Sequence, residues 1–423
     1  MKEMKKVVII GGGFAGINAA RNLGNKEGFD VTLIDRRNHH LFQPLLYQVA
    51  MAGLSPADIA APIRTILKKY KNIKVVMDYA KKIDPEDKKV ICKAGEYDFD
   101  LLIMACGARH SYFGHNEWEK YAPGLKTINQ ATEIRRRVFM AFEKAEKTEN
   151  DLEMSKHLTF VIVGAGPTGV ELAGAIGEMN RYTLGDEFSQ LDVSKTRVLL
   201  IEAGPRILAA FDEDQSQRAQ SDLVKLGVDV RLGQAVTHID DQCVKLGDET
   251  IQTSTVLWAA GVEASRLGKS LPVELDRAGR VPIEEDLSMK QFPYIFVAGD
   301  QANFTGKDGR PLPGMAPVAM QQGRYLAKLL VAREKGKDIG GFKYVDKGKM
   351  ATIGRSSAIA QAGKIKLEGF IAWLAWLFIH ILYLSGFKNR FFVFVQWTWS
   401  YLSFHRGARL IIGKKWRFYS DDD

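Results

Sequence analysis

Three glycines near the start of the chain have the spacing of a dinucleotide-binding turn. Gly11, Gly13 and Gly16 form the pattern G-x-G-x-x-G directly after the β-branched run Val7–Ile10. In such a turn the first glycine permits a tight bend, the second lets the backbone approach a pyrophosphate, and the third lets a helix pack on the strand. The phosphates would bind N–H groups at the start of that helix. Asp35 ends the next predicted strand 19 residues after Gly16, where a carboxylate can bind a ribose hydroxyl.

The same glycine pattern occurs again 153 residues later. Gly164, Gly166 and Gly169 follow a second apolar strand, and one spacing relates all three to the first set. We interpret this as a second copy of the unit rather than as chance glycines. Its acid, Glu202, lies 33 residues after Gly169, so about 14 residues are inserted relative to the first copy, around positions 179–192. Two such folds predict two dinucleotides, a tightly held flavin and an exchangeable nicotinamide cofactor.

A later strand indicates which fold binds which cofactor. It ends in Gly299 and Asp300 after the second unit is complete, and an acid at the carboxyl end of a strand points into the ligand crevice. If this strand returns to the first sheet, Asp300 can reach the ribityl chain of FAD, so the first fold binds FAD and the second binds NADH. Glu202 would repel the 2′-phosphate of NADP, although Arg206 is close enough in sequence to leave NADPH open.

The strands and helices that must position these residues indicate an α/β fold. We predict two Rossmann-like dinucleotide-binding domains, the second inserted in the first, plus a C-terminal helical segment. The predicted domains are 1–155 with 276–340 for FAD, 156–275 for NADH, and 341–423 for membrane association. Further predicted elements are a loop over 36–48 leading into a short helix, a helix start at Ser55-Pro56 with Ser55 as cap, strands at 74–77, 89–92 and 98–107, and an amphipathic helix over 130–147.

The basic charge of the chain is concentrated near its end. The net charge is +9, and residues 364–417 carry nine Lys or Arg against one Glu. Because Trp, Phe and Leu are interleaved with these charges, the segment indicates an anionic membrane surface rather than nucleic acid. A solvated basic face would leave the apolar residues unexplained.

The cysteines support neither a redox couple nor a metal site. Cys92, Cys106 and Cys243 form no C-x-x-C or C-x4-C pair, so no disulfide-reductase couple, zinc site or other metal is expected. The low count suits a reducing compartment. We expect no secretory signal peptide, since the chain runs directly into its first strand.

Two apolar runs lie in the basic segment. Residues 370–387 carry no formal charge over 18 positions, which is about 27 Å as a helix and just long enough to span a membrane. The run at 391–402 contains Gln396 and is too short. We favour a helical pair lying in the membrane interface over a buried dimer or core helix, or one true span. The aromatic residues expected at headgroup depth are Trp373, Trp376, Trp397, Trp399 and Tyr401.

Together these motifs resemble the two-dinucleotide-binding-domain flavoproteins, and most closely the type II, non-proton-pumping NADH:quinone oxidoreductases. The resemblance covers essentially the whole chain and is carried by residues 40–46, 168–173, 258–262 and 316–323. The family often has A-Q-x-A-x-Q at the last of these, with two glutamines at the quinone head. This chain has Pro317 at the first glutamine position and keeps Gln321, so half of those polar contacts are expected.

The resemblance implies that a hydride passes from nicotinamide C4 to flavin N5 and that a membrane quinone is then reduced without proton pumping. It also implies a homodimer, peripheral on the cytoplasmic face of the inner membrane. Glu171 would relay protons or position the nicotinamide and flavin, although an acid in the first turns of a helix is favoured by the dipole anyway. Gln321 would donate a hydrogen bond to a quinone carbonyl, or be an ordinary helix-surface amide.

The resemblance and the motifs assign three sets of contact residues. Those for FAD are Gly11, Gly13, Phe14, Ala15, Gly16, Asp35, Arg36, Pro44, Leu45, Cys106, Gly107, Gly299, Asp300, Ala316, Pro317 and Val318. Those for NADH are Gly164, Gly166, Pro167, Thr168, Gly169, Glu202, Ala260, Gly261 and Val262. Those for the quinone are Gln48, Pro317, Gln321, Ile379 and His380, the last of which could equally be an interface or packing residue.

Three other functions remain open from sequence. A sulfide:quinone reductase shares the fold, but it needs a cysteine pair beside the flavin, and residues 244–423 contain no cysteine. A soluble reductase of an electron-carrier protein would use both cofactors without needing the aromatic, basic C-terminus. A non-catalytic NADH-sensing flavoprotein would bind NADH without multiple turnovers.

Overall fold

In the computed structural model, the described residues are 4–182, 188, 191–306, 309–384, 386–403 and 407–412. The chain forms two compact units, each assembled from three segments. Unit 1 comprises Met1–Leu41, Ala60–Arg109 and Val262–Lys347, and unit 2 comprises Phe42–Ile59, His110–Gly261 and Gly348–Asp423. The ligand-binding domains given above stay predictions, since a compact unit need not coincide with a binding domain.

Unit 1 is built on a five-stranded parallel sheet. Its strands, in spatial order, are Ile295–Val297, Leu101–Met104, Lys5–Ile10, Phe29–Asp35 and Ile73–Met77. The run Val7–Ile10 is buried, as expected for a parallel strand that is covered on both faces. The late strand Ile295–Val297 pairs in parallel with Leu101–Met104, which confirms that the chain returns to the first sheet after the second dinucleotide fold.

Two helices of unit 1 pack against each other at very short range. The first dinucleotide helix, Phe14–Leu23, contacts the long helix Ala316–Glu334. A Cβ on Gly323 would lie 2.2 Å from the carbonyl oxygen of Ala15, so only glycine permits this approach. Residues 316–323 form the start of this helix, as predicted. The close contact at Gly323 holds the helix against the helix that follows the first strand.

Unit 2 has a four-stranded parallel sheet of its own. The strand order is Val228–Leu232, Arg197–Glu202, Thr159–Val163 and Thr255–Trp258. The second dinucleotide helix, Pro167–Tyr182, has 16 residues where the first has 10, so part of the predicted insertion lengthens this helix. Of the rest of 179–192, positions 183–187, 189 and 190 lie outside the described residues.

A three-stranded antiparallel sheet completes the support of that helix. Its strands are Lys349–Gly354, Ser357–Ala362 and Ile365–Glu368. A Cβ on Gly174 would lie only 1.6 Å from the carbonyl oxygen of Ile353, so the helix lies directly on the first of these strands. This contact brings one face of the helix next to the segment 352–355.

The C-terminal helices are Gly369–Tyr383 and Phe387–Ser403. The first ends before Leu384, whose backbone is extended, and Gly386 has a φ of +88°. The uncharged run 370–387 is therefore not one continuous helix. Among the described residues, no helix combines the length and the apolar character needed to cross a membrane.

The segment after Asp35 differs from its prediction. The loop predicted over 36–48 is wrong in part, because His39–Leu41 is a strand that pairs with Ala60–Pro62. The short helix, Leu46–Ala50, follows a 3-10 turn at Gln43–Leu45 and confirms the rest of the prediction. The strand needs a partner 20 residues further along the chain, which local periodicity does not reveal.

Two predicted helices are confirmed with different ends. The helix Ile128–Lys147 is capped by Thr127, whose Oγ1 accepts the N–H of Gln130 at 3.1 Å. The helix that begins at Pro56 ends at Ile59. There the carboxylate of Asp58 accepts the N–H of Ser55 at 2.7 Å, so the acid, rather than the predicted serine hydroxyl, closes this turn.

The remaining elements connect these layers. The strands are Ala80–Asp84, Lys89–Cys92 and Glu96–Asp98 in one antiparallel sheet, His238–Ile239, Cys243–Leu246 and Glu249–Gln252 in another, and the short Ala108–His110, Val262–Ala264, Val281–Pro282 and Ala302–Asn303. The helices are Ile63–Leu67, Asp151–His157 and Glu213–Lys225, with 3-10 turns at Asn116–Lys120, Val193–Lys195, Arg266–Ser270 and Gly299–Gln301.

Candidate functional site

In the first glycine turn, in unit 1, two of the three glycines are required by backbone packing and the third borders open space. Gly11 has a φ of +104°, and a Cβ there would lie 2.3 Å from the oxygen of Ala105. A Cβ on Gly16 would lie 1.8 Å from the oxygen of Gly11. A Cβ on Gly13 would meet none of the described atoms within 4 Å. Two glycines are thus needed by the chain itself, and the middle one borders open space where a pyrophosphate can approach.

The acid of the first cradle is fixed by backbone N–H groups. Asp35 accepts the N–H of Gly12 through Oδ2 at 2.6 Å and that of Arg37 through Oδ1 at 2.7 Å. The helix that begins at Phe14 has no acidic residue in its first turn and no side-chain cap. No carboxylate of the helix's own first turn therefore neutralises its positive end, which favours an anion site at this helix N-terminus. Arg36, next to the acid, is exposed.

The second cradle, in unit 2, repeats this geometry. Gly164 has a φ of +97°, and a Cβ on Gly169 would lie 1.8 Å from the oxygen of Gly164. A Cβ on Gly166 would meet no described atom within 4 Å. Glu202 accepts the N–H of Ala165 through Oε2 and that of Gly204 through Oε1, both at 2.8 Å. Both cradles fit the pyrophosphate and adenosine ribose of a dinucleotide.

The backbone around the second cradle is closely packed. Pro167 and Thr168 open the helix, which has no acid in its first turn. Gly261 has a φ of +71°, and a Cβ there would lie 2.5 Å from the ring of Phe113. A Cβ on Gly164 would lie 2.6 Å from the backbone of Ala260. Phe113 could not be predicted from sequence, since one aromatic residue in a loop carries no pattern.

A cavity of about 80 Å³ in unit 1 brings together several residues predicted to bind FAD. Gly299, Asp300 and Val318 line it, together with Val262, which was predicted to contact NADH. The N–H of Gly299 donates to Oε1 of the buried Gln322 at 2.7 Å. Gln322 was missed because its neighbour Gln321 matches the family pattern.

Gln321 is bonded to the backbone of its own unit. Its Nε2 donates to the oxygen of Val345 at 2.9 Å, and its Oε1 accepts the N–H of Val345 at 3.0 Å. Ala316 and Pro317 form the first turn of the helix Ala316–Glu334, where a proline is tolerated because no intrahelical N–H bond is needed. The role of Gln321 at the quinone stays a prediction.

Cys106 is held as a neutral thiol at the end of its strand. Burial raises the pKa of the Cys106 thiol to about 12, and its N–H donates to Oε1 of Gln301 at 3.1 Å. Gly107 follows with a φ of +67°. A thiol with so high a pKa is a poor nucleophile. Within the described residues, no three His, Cys, Asp or Glu side chains cluster as metal ligands.

A larger cavity, of about 110 Å³, lies within unit 2. Aromatic side chains and a similar number of charged or polar side chains form its wall. Its lining includes Tyr47, Gln48, Met51, Glu171, Glu178, Thr352, Arg355, Trp373, Trp376, Trp397, Ser400 and Tyr401. Flat ligands are bound in such sites by ring contacts, and the polar groups orient them.

Glu171 carries a proton over a wider pH range than an ordinary glutamate. Burial raises the pKa of Glu171 well above its usual range, and a hydrogen bond from the backbone at Thr352 opposes this only in part. A carboxyl group that keeps its proton in this way can donate it to a bound ligand. The suggestion that Glu171 only stabilises a helix terminus does not account for its place in the cavity wall.

Gln48 is oriented by two aromatic side chains. Its Oε1 accepts the indole N–H of Trp397 at 2.7 Å, and its Nε2 donates to the hydroxyl of Tyr47 at 3.0 Å. Trp397 therefore bonds inside the unit. The prediction that Trp376 lies at headgroup depth is wrong, because only 1% of Trp376 is exposed.

The other predicted quinone residues do not line this cavity. His380 bonds through Nδ1 to the oxygen of Trp376 at 2.7 Å and stacks on its ring, and burial lowers the pKa of His380 to about 4. Ile379 is 37% exposed. Among the described quinone residues, Gln48 alone lines the cavity with Glu171. Pro44 and the fully buried Leu45 form the 3-10 turn before Gln48.

Comparisons with known proteins identify relatives of this chain. The family model for pyridine nucleotide-disulphide oxidoreductases matches residues 5–323. Two relatives from Mycobacterium tuberculosis are the type II NADH:quinone oxidoreductases Ndh and NdhA, which are 43% and 42% identical. Each alignment covers 96% of this chain, with 90% of Ndh and 89% of NdhA.

Solved structures show the same fold at lower identity. NDH2 from Plasmodium falciparum, solved in complex with NADH, superposes with a TM-score of 0.88 at 21% identity, over 97% of this chain and all of the other. The sulfide:quinone oxidoreductase from Aquifex aeolicus gives a TM-score of 0.69 at 19% identity, over 91% of each chain. With the two cradles and the relatives that align over nearly its full length, this chain belongs to the type II NADH:quinone oxidoreductase family.

Proposed function

We propose that this chain oxidises NADH and reduces a quinone, with FAD in the first cradle and NADH in the second. The observation that carries the proposal is the pair of matching cradles in a chain that is 43% identical to a type II NADH:quinone oxidoreductase. When bound, FAD supplies the redox chemistry, since it can accept a hydride from NADH and release two electrons to a quinone. The residues described below bind, orient and supply protons.

In the first cradle, the backbone around Gly13 would hold the FAD pyrophosphate and Asp35 its adenosine ribose. Gly299, Asp300 and Val318, which line one cavity in the same unit, would hold a more distant part of the same cofactor. The hydrogen bond from the Gly299 N–H to Gln322 fixes this turn. FAD would thus be held along an extended surface, as suits a cofactor that stays bound.

In the second cradle, the carboxylate of Glu202 favours NADH over NADPH. It would accept hydrogen bonds from the ribose hydroxyls and repel a 2′-phosphate. Arg206, which left NADPH open from sequence, donates through Nη2 to the oxygen of Ala209 at 3.0 Å. That bond directs its charge to its own loop, so Glu202 decides the preference.

In the large cavity of unit 2, ring contacts would hold the quinone head. One N–H of the Gln48 amide donates to Tyr47, and the other can donate to a quinone carbonyl. Glu171, whose pKa is raised by burial, would supply a proton to the oxygen that accepts charge. Quinone reduction consumes two electrons and two protons, so a proton donor in this wall has a defined use.

The outer faces of the C-terminal helices support binding to a membrane surface. Large apolar side chains are exposed along both, among them Ile371, Leu374, Phe378, Phe394 and Trp399, and the surrounding segment is basic. An amphipathic helical pair of this kind lies in the interface of anionic lipids. We therefore propose peripheral binding at the cytoplasmic face of the inner membrane, and family resemblance adds a homodimer.

An anaerobic spectral titration tests this function. The purified protein should carry FAD, lose the flavin absorbance band when NADH is added, and regain it with a ubiquinone or menaquinone analogue. NADPH should act far more weakly than NADH. If NADH bleaches the flavin and no quinone restores its absorbance, quinone reduction is rejected. If only a carrier protein restores it, the protein is a soluble reductase.

A further inference from the structure

The large cavity of unit 2 contains a second carboxyl group for which the proposed function has no use yet. Glu171 and Glu178 are seven residues apart on the helix Pro167–Tyr182, so they lie on one face, two turns and about 10 Å apart along the axis. Both line the same cavity. Two acids in one wall, at that spacing, can exchange a proton only through intervening water.

The surroundings of the two carboxyl groups differ. Oε2 of Glu178 accepts the backbone N–H of Arg355 at 3.1 Å. The guanidinium of Arg355 lies over the ring of Tyr401 at 4.3 Å and donates to the oxygen of Ser400 at 3.5 Å. Glu178 and Arg355 are both partly exposed to solvent. Its partial exposure gives Glu178 access to protons from bulk solvent.

Once the quinol has left, the cavity is large enough for a water chain between the two acids. Its volume of about 110 Å³ corresponds to nearly four waters at a share of about 30 Å³ each in the liquid. The amide of Gln48 and the hydroxyls of Tyr47 and Ser400 line the same space. Waters there would find the two to four polar partners that buried water requires.

The reaction needs a proton from solvent in every turnover. Its balance is NADH plus quinone plus one proton giving NAD⁺ plus quinol, because NADH brings one hydrogen and the quinol holds two. We propose that Glu178 takes this proton from solvent and passes it through cavity water to Glu171, which replaces the proton it has given to the quinone. This inference rests on the proposed function and adds the proton route to it.

The charged and titratable groups that face Glu178 come from several elements. Arg355 follows the strand Lys349–Gly354, Tyr401 belongs to the last helix, and Tyr47 to the helix Leu46–Ala50. On the helix Glu213–Lys225, Asp222 is already paired with Arg218 and Lys225. Glu171 is thus the acid that can exchange a proton with Glu178 inside the cavity.

The test is Glu178→Gln, which keeps an oxygen to accept the Arg355 N–H and removes only the exchangeable proton. The ratio of quinone rate to ferricyanide rate should fall by about tenfold or more, since ferricyanide takes electrons without protons. Small weak acids such as acetate or azide should restore the quinone rate in this variant and leave the wild type unchanged. The matched control is Glu149→Gln, an exposed glutamate outside the cavity lining.

The expected rescue by weak acids separates proton delivery from a purely structural role. Glu178→Asp, which shortens the side chain but keeps the acid, should retain more of the quinone rate than Glu178→Gln. An unchanged ratio in Glu178→Gln, a loss that no weak acid restores, or an equal loss in both variants would overturn the proton route. Failure of the wild type to reduce any quinone would instead reject the proposed function.

Discussion

Replacing Gly13 by alanine should weaken FAD binding while leaving the unfolding free energy of the empty protein unchanged or slightly higher. The backbone of Gly13 has φ of −74° and ψ of −161°, an ordinary extended conformation, and its Cβ would meet no described atom within 4 Å. A glycine-to-alanine change at such a position stabilises a protein by about 0.4–1 kcal/mol through the unfolded state. The same methyl group would occupy the space through which a pyrophosphate reaches the backbone.

The size of the effect on binding follows from the bonds displaced. Each hydrogen bond to a charged phosphate contributes about 1.5–3 kcal/mol, so losing one or two costs about 3 kcal/mol. That corresponds to a dissociation constant for FAD that is about 100-fold higher. Gly166→Ala, whose Cβ also meets no described atom within 4 Å, should leave FAD bound and raise the dissociation constant for NADH by a similar factor.

The assay compares the flavin content of the purified variants, the NADH affinity and the urea unfolding of the protein stripped of FAD. Gly95→Ala is the matched control, because Gly95 is exposed and its Cβ would also meet nothing described within 4 Å. Gly16→Ala should instead unfold at lower urea, since its Cβ would lie 1.8 Å from the oxygen of Gly11. Full FAD content in Gly13→Ala with FAD lost in Gly166→Ala would refute the assignment of the two cradles.

Three further predictions concern charge, protonation and the membrane. Glu202→Arg should weaken the use of NADH and increase that of NADPH in steady-state assays, and an unchanged preference would reject its role at the ribose. Burial raises the pKa of Glu171, so unfolding releases a proton and wild-type stability falls as pH rises from the unfolded to the folded pKa. Glu171→Gln removes this pH dependence. The melting temperature of the variant minus that of the wild type should therefore increase from acid to neutral pH, and a difference that does not change with pH would contradict this. Leu374→Ser with Phe378→Ser, at side chains 46% and 68% exposed, should lose about 3 kcal/mol of lipid binding and stop sedimenting with anionic vesicles. Leu152→Ser, at a residue 82% exposed, is the control, and equal sedimentation of both would place the anchor elsewhere.

The cradles could be predicted from sequence because their chemistry is local. A turn that tolerates no Cβ at Gly11 or Gly16, followed by an acid at the end of the next strand, needs only about 25 consecutive residues and no distant partner. The return of the strand Ile295–Val297 to the first sheet was also predicted and is confirmed. That prediction depended only on Asp300, because an acid at the carboxyl end of a strand faces the ligand crevice of its sheet.

The large cavity could not be predicted, since residues from distant segments form it. Glu178, Arg355 and Trp397 share no local pattern, and each alone looks like an ordinary polar or aromatic residue, whereas Gln48 and Glu171 were assigned only through the family resemblance. The bond from Trp397 to Gln48 joins residues 349 positions apart. Composition gives the frequency of such residues in the chain but not which of them meet.

Hydropathy also could not predict which residues of the apolar C-terminal run are buried. Its residues are apolar on all sides, so the pattern gives no sign that Trp376 is buried whereas Phe378, two positions later, is exposed. Trp376 packs against the rings of Tyr47 and Trp397, whose centroids lie 6.4 and 5.4 Å from its own, and both partners are distant in sequence. Hydropathy therefore predicted an apolar helix but not which of its faces packs against the protein.

A structure of the protein with both FAD and NAD⁺ bound tests the central assignment most directly. We predict that the adenosine ribose of FAD lies within hydrogen-bond distance of Asp35 and that of NAD⁺ within hydrogen-bond distance of Glu202. Two results would contradict the account: NAD⁺ bound at Asp35, or only one dinucleotide bound, with the Glu202 cradle unable to bind either FAD or NAD⁺.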